Sequence, residues 1–152
     1  MSNNKDKMKF SLREDCGSSK INYSRKNWDK VCEQYFKKSK FDIENFYGDV
    51  LYVGMGSAYG PKNQSHNVKT TTILEKYPEI IKTYNDPKYN WNVILGCAYK
   101  YTFEPKQFDI IMLDVWGHYI SRAEYNILYP KFKEYLKDGG KILTIKTLKL
   151  KN

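Results

Sequence analysis

The chain has 152 residues, of which 41% are hydrophobic and 16% aromatic, enough for one domain with a core of its own. No apolar run is long enough to cross a membrane, and the residues after Met1 lead into no apolar signal core, so neither a membrane span nor a secretory leader is expected. The net charge is +9, and residues 1–40, with 11 basic and five acidic side chains, carry most of the excess.

Residues 1–22 read as a polar, basic arm, and residues 23–152 as a single folded domain. The charge of residues 1–40 suits RNA, DNA or an acidic partner; a solvated, lysine-rich face is the preferred reading, since no aromatic-basic RNA-binding signature accompanies it. From Ser24 to Lys38 the residues Trp28, Val31, Cys32, Tyr35 and Phe36 recur at the spacing of an amphipathic helix. Five strands are expected after it: Val50–Val53, Thr71–Glu75, Trp91–Leu95, Asp109–Leu113 and Lys141–Lys146. Their apolar runs rarely alternate with polar residues, which indicates burial on both faces and hence a mostly parallel sheet covered by helices. Pro61 to Asn67 is polar and reads as a single turn or a loop. Pro78 to Tyr84 starts a helix with proline at its first position. Ser121 to Lys137 carries the capping-box pair Ser121 and Glu124, with Pro130 as a kink. Asp138-Gly139-Gly140 reads as a helix stop and turn into the last strand. The final strand would leave an open edge, which favours a homodimer.

Chemistry concentrates at the strand ends. Val50-Leu51-Tyr52-Val53 breaks into Gly54-Met55-Gly56-Ser57-Ala58-Tyr59-Gly60, where small residues let a ligand approach the backbone. About twenty residues on, Glu75 ends the second strand, and a carboxylate there offers two acceptors to the vicinal hydroxyls of a ribose. The alternative for Glu75 is an exposed strand-end acid. Asp114 ends an apolar strand, so its charge needs solvent, a cation or a donor; the alternative is a cap of the following loop. His118, between Trp116 and Tyr119, has a side chain that titrates near neutrality and is a candidate general base. Cys16, Cys32 and Cys97 show no CxxC spacing. They argue against a disulfide framework or a zinc site, and fit incidental thiols in a reducing, cytoplasmic compartment.

These residues together resemble the S-adenosylmethionine-dependent methyltransferase superfamily, and within it the spermidine synthase branch. The first motif is matched by Val50 to Ser57, the second by Thr72 to Ile81, the third by Val93 to Tyr99 and the fourth by Phe108 to Trp116. Tyr135 to Leu143 is similar to the family's helix end, Gly-Gly turn and fifth strand. The resemblance implies a three-layer Rossmann-like α/β fold of about five strands, lacking the usual last two. It implies S-adenosylmethionine as cofactor and no metal. Gly54, Gly56 and Ser57 would border its methionine end, Glu75 its ribose, and Cys97 and Ala98 its adenine. Asp114 would sit beside the reacting groups, facing the acceptor with His118. Two places depart from the pattern: Cys97 stands where the family carries an adenine-binding acid, and Gly117 where aminopropyltransferases carry a second acid. Asp114 and Lys146, with Lys26 or Lys30, also match part of the ribose 2′-O-methyltransferase set.

The function expected from the sequence is therefore methyl transfer from S-adenosylmethionine to a small-molecule or nucleic-acid acceptor. The alternatives are aminopropyl transfer, cleavage of the cofactor, and a non-catalytic Rossmann module.

Overall fold

The structure, a computed structural model, describes residues 43–54, 57–113 and 122–143, with Lys30, residues 32–34 and Lys37 before them; for residues 122–125 it describes the backbone only. Five strands form one sheet: β1 (Gly48–Val53), β2 (Val68–Glu75), β3 (Asn92–Leu95), β4 (Phe108–Leu113) and β5 (Leu136–Leu143). Their spatial order is β3-β2-β1-β4-β5, and every neighbouring pair is parallel. The chain order reverses between β1 and β4, the place where open α/β sheets leave a crevice at their carboxyl ends.

The continuous apolar runs of β1 and β4 follow from covering on both sides. Val50, Tyr52, Ile110 and Met112 join a layer with Cys32, Ile43, Phe46, Ala58, Ile80 and Tyr84. Leu51, Val53, Ile111 and Leu113 join the opposite layer with Leu128, Phe132 and Tyr135. Fully burying one such side chain contributes about 1.5–3 kcal/mol, so the two layers carry most of the stability. This is the expected three-layer α/β arrangement. The helix expected from Ser24 to Lys38 is described only at Lys30, residues 32–34 and Lys37, which are helical, and Cys32 is buried in the core.

Connections on the first layer are short. Helix α1 (Tyr59–Asn63) follows β1, and helix α2 (Pro78–Ile81) follows β2 and runs into a 3-10 turn, Lys82–Tyr84. Helix α1 begins two residues before the polar Pro61–Asn67 segment and ends inside it. The polarity of that segment has a structural cause. Tyr52 is completely buried, and its hydroxyl donates to Gln64 Oε1 at 2.8 Å, while Gln64 Nε2 donates to Thr71 Oγ1 at 2.6 Å. A buried phenol needs such a partner, and burial also holds the Tyr52 hydroxyl well above its ordinary pKa.

On the second layer, residues 96–107 join β3 to β4 with neither helix nor strand. Aromatic rings cover the sheet there. Phe103 packs against Tyr101, Phe108 and Tyr135 at centroid distances of 4.8, 5.2 and 5.5 Å, and Tyr135 meets Phe132 edge-on at 5.3 Å. Helix α3 (Arg122–Lys133) completes this layer with Pro130 inside it. It ends four residues before the expected Lys137. The Tyr135 carbonyl accepts the N–H groups of Gln107 and Phe108 at 2.8 and 2.9 Å, which draws the chain into the sheet. The expected turn at Asp138-Gly139-Gly140 is likewise a bulge within β5: Phe108 pairs with Leu136, but Ile110 pairs with Lys141. Gly139, at φ +80, takes the left-handed conformation that the bulge requires.

The amino ends of the strands are tied by charge. Lys137 Nζ meets Asp49 Oδ2 at 2.6 Å and Asp109 Oδ2 at 3.1 Å. Thr70 Oγ1 donates to Asp49 Oδ1 at 2.6 Å, and the Asp49 N–H donates to Asp109 Oδ2 at 2.9 Å. Four strands, β1, β2, β4 and β5, thus share one polar knot. Gly48 lies against it at φ +69, where an added Cβ would overlap the Asp109 carboxylate.

Candidate functional site

The sheet register brings Gly54 and Glu75, two of the expected site residues, to one edge. Val53 pairs with both Leu74 and Leu113, and Glu75 pairs with Leu95. Strands β1 to β4 therefore end side by side, and Gly54, Glu75 and Gly96 lie along the carboxyl edge. The Gly54 N–H donates to the Leu74 carbonyl, and the Gly96 N–H to the Glu75 carbonyl, both at 2.9 Å. Gly54 takes φ +67, and no described atom lies within 4 Å of the position its Cβ would occupy. A glycine suits that turn, and its N–H continues the β1–β2 ladder, so it is not available to a ligand.

Glu75 is 3% exposed, which excludes the reading of an exposed strand-end acid. Its Oε1 accepts the N–H of Lys76 at 3.2 Å. A buried carboxylate at the end of β2, between the glycine turns after β1 and β3, is a chemical feature of the edge. Ser57 is also buried. Its Oγ accepts the Tyr59 N–H at 3.2 Å, and its carbonyl accepts the Tyr84 hydroxyl at 3.3 Å, so the return of the glycine loop is pinned to α1 and to the 3-10 turn.

The loop after β3 departs from expectation in one respect. Cys97 is buried and disulfide-bonded, and Cys32 is buried as well. Sequence spacing carries no information about which thiols a fold brings together, and three incidental thiols were expected. The Cys97 carbonyl accepts the N–H groups of Lys100 and Tyr101 at 3.0 and 2.7 Å, which closes a turn around half-buried Ala98. Gly56, Asp114 and His118 lie outside the described residues; β4 is described up to Leu113.

Beside Ser57 opens a cavity of about 370 Å³, lined by Lys30, Glu33, Ser57, Ala58, Tyr59, Lys62 and Thr83. That volume falls within the range of small-ligand sites. Gly54 and Glu75 are not in its lining, so the cavity flanks the carboxyl edge on the helical side. Lys62 and Thr83 were not singled out from the sequence, because a polar residue on a short helix carries no signal of its own. Among the described residues no group of three His, Cys, Asp or Glu side chains is placed to hold a metal ion, and no helix is long and apolar enough to cross a membrane.

No protein-family model matches the chain, and no curated protein matches it in sequence. Solved structures do match in fold. An S-adenosylmethionine-dependent methyltransferase from Leishmania major superposes with a TM-score of 0.65 at 19% identity, covering 89% of this chain and 59% of that one. The DhpI–SAM–HEP complex gives 0.64 at 14% identity, covering 93% and 65%. An S-adenosylmethionine-dependent methyltransferase from Mesorhizobium loti gives 0.57 at 12%, covering 72% and 51%. The chain thus spans between half and two thirds of the length of these structures. The likeness runs to methyltransferases and gives no support to the spermidine synthase branch that the sequence resembled. With its parallel order β3-β2-β1-β4-β5 and helices on both faces, the chain has the Rossmann-like methyltransferase fold.

Proposed function

We propose that this chain binds S-adenosylmethionine across the carboxyl ends of β1 and β2 and transfers its methyl group to an acceptor. One observation carries the reading: Gly54 turns at φ +67 with no described atom against its Cα, at the end of the strand beside β2, which ends in the buried Glu75. Glu75 would accept hydrogen bonds from both ribose hydroxyls. Gly54 would admit the cofactor's methionine portion past its bare Cα, with Gly56 and the pinned Ser57 continuing that border. The turn at Cys97 and Ala98 would flank adenine. When bound, the cofactor supplies an electrophilic methyl on a sulfonium; the acceptor forms the new bond, and the sulfur retains the electron pair as S-adenosylhomocysteine. The protein's part is placement of the acceptor in line with the methyl. Asp114 and His118 are assigned to the acceptor side because they follow Leu113 in sequence, and Leu113 pairs with Val53 at the end of β1. The acceptor is a small molecule or a nucleic acid, and the basic residues 1–22 fit the latter.

A second reading is a non-catalytic adenosyl-binding module. It is favoured by Cys97, whose sulfur is bonded where the family carries an acid.

The test is a thermal-shift panel with S-adenosylmethionine, S-adenosylhomocysteine and methylthioadenosine. A ligand at a hundred times its Kd adds about 2.7 kcal/mol to stability. Glu75→Ala and Gly56→Val are expected to lose that shift and remain folded; a full shift in both would put the site elsewhere. Formation of S-adenosylhomocysteine in the presence of acceptor fractions separates the enzyme from the binding module.

A further inference from the structure

Lys131 is a half-buried cation. It lies on α3, and its Nζ donates to the carbonyls of Ala98 and Tyr101, each at 2.7 Å. Among the described residues no carboxylate comes within ion-pair distance of it. Its ammonium lies 5.8 Å from the Phe132 ring centre, and burial pulls its pKa below that of an ordinary lysine. A lysine on a helix surface ordinarily keeps its charge in solvent. Here both acceptors belong to one turn, and that turn lies in the connection that has no helix or strand of its own. Backbone bonds hold Gly96 to β2 and Lys106 and Gln107 to the segment after α3, and the Cys97 carbonyl closes the turn itself; a side-chain tie from α3 adds to these. Two charge-assisted bonds from a single ammonium tie this turn to α3.

We propose that Lys131 is the positioning residue of the adenine end of the site: from behind, it sets the Cys97–Tyr101 turn that Cys97 and Ala98 present to the base. The inference rests on the methyltransferase reading above, but it concerns a residue on a different element, 33 positions along the chain from Ala98. Lys131 touches no ligand. It acts through the Ala98 and Tyr101 carbonyls, and so its effect is on how tightly and how selectively adenine is held.

The experiment compares wild type with Lys131→Met, which keeps the stem and removes the donors, and with Lys131→Gln as a second variant should the first fail to fold. Binding of S-adenosylhomocysteine and of its inosyl analogue, which replaces the adenine amino group, is measured by calorimetry. Amide hydrogen exchange is followed in the ligand-free proteins. In the variants, exchange at residues 98–101 is expected to accelerate while β1 and β2 stay protected. Affinity for S-adenosylhomocysteine should fall about tenfold, the loss expected from one or two net hydrogen bonds. The wild-type preference for the adenosyl over the inosyl ligand should shrink, a change that a merely structural lysine would not produce. Wild-type binding with an unchanged preference in the variants overturns the role of Lys131 and leaves the methyltransferase reading standing. Absence of any adenosyl binding by wild type overturns both.

Discussion

β1 is flanked by two glycines in nearly the same conformation, and they do opposite things. Gly48 at φ +69 opens the strand, and Gly54 at φ +67 closes it. At Gly48 a side chain has no room, because the Asp109 carboxylate occupies the position of a Cβ. At Gly54 no described atom comes within 4 Å of that position. The same left-handed turn is packed shut at one end of the sheet, and at the other has no described atom against it. The amino end is closed by Lys137, Asp49, Asp109 and Thr70, while the carboxyl end carries a buried acid and glycine turns. One edge is built for cohesion, and the other is the edge at which the proposed ligand would bind.

Substitutions at the two glycines give the widest separation. Gly48→Ala is expected to destabilise by about 3 kcal/mol, because strain at positive φ adds to overlap with Asp109. Gly54→Ala should cost about 1 kcal/mol, from the backbone conformation alone. Urea unfolding of both variants checks this, and equal losses would break the contrast. Next in size, Asp109→Ala orphans the Asp49 N–H and one contact of Lys137, for an expected loss of about 2 kcal/mol by the same measurement. Neither Gly48→Ala nor Asp109→Ala should alter adenosyl-ligand affinity, whereas Glu75→Ala should remove it.

A pH titration sharpens the picture of the polar knot. Hydrogen bonds from Lys137 and Thr70 hold the Asp49 carboxyl below its ordinary pKa. Its contribution to stability is therefore complete above about pH 4 and is lost as the pH falls through the lowered folded value. Lys137 is shifted the other way, raised by its bonds to Asp49 and Asp109. Its contribution is complete below about pH 10 and is lost only as the pH rises through the raised folded value. Stability measured from pH 2 to 7 should fall on the acid side in wild type, and fall less in Asp49→Asn. The smallest effect is expected at Ser57→Ala. Removing the acceptor of the Tyr59 N–H should cost about 1 kcal/mol or less in a thermal melt.

The central strands β1 and β4 were legible because each contains an apolar run that needs cover on both faces, as in Val50–Val53. The beginning of β2 was not, since Lys69 and Thr70 are exposed and polar and only pairing with β1 makes them strand. The end of α3 was hidden by Tyr135 and Leu136, whose spacing continues a helical stripe although Tyr135 is anchored to β4. At the site, an acid on the second strand was readable at Glu75, but its burial was not, because burial is a property of the neighbours. Lys131 and Lys137 were invisible for a simpler reason. In a chain with 26 lysines and arginines, only the tertiary structure shows which charges are aimed at a partner.

The central position of β1 has a consequence for how the chain reaches this state. One flank of β1 is filled by β2, which follows it closely. The other waits for β4, and Asp49 and Asp109 are 60 positions apart. As a nascent chain leaves the ribosome, the middle of the future sheet has a naked border until that later strand arrives. Parallel pairing over such a separation is slow. An unpaired β border is also adhesive. Refolding yield should therefore drop with protein concentration, and a chaperone that shields β1 should restore it.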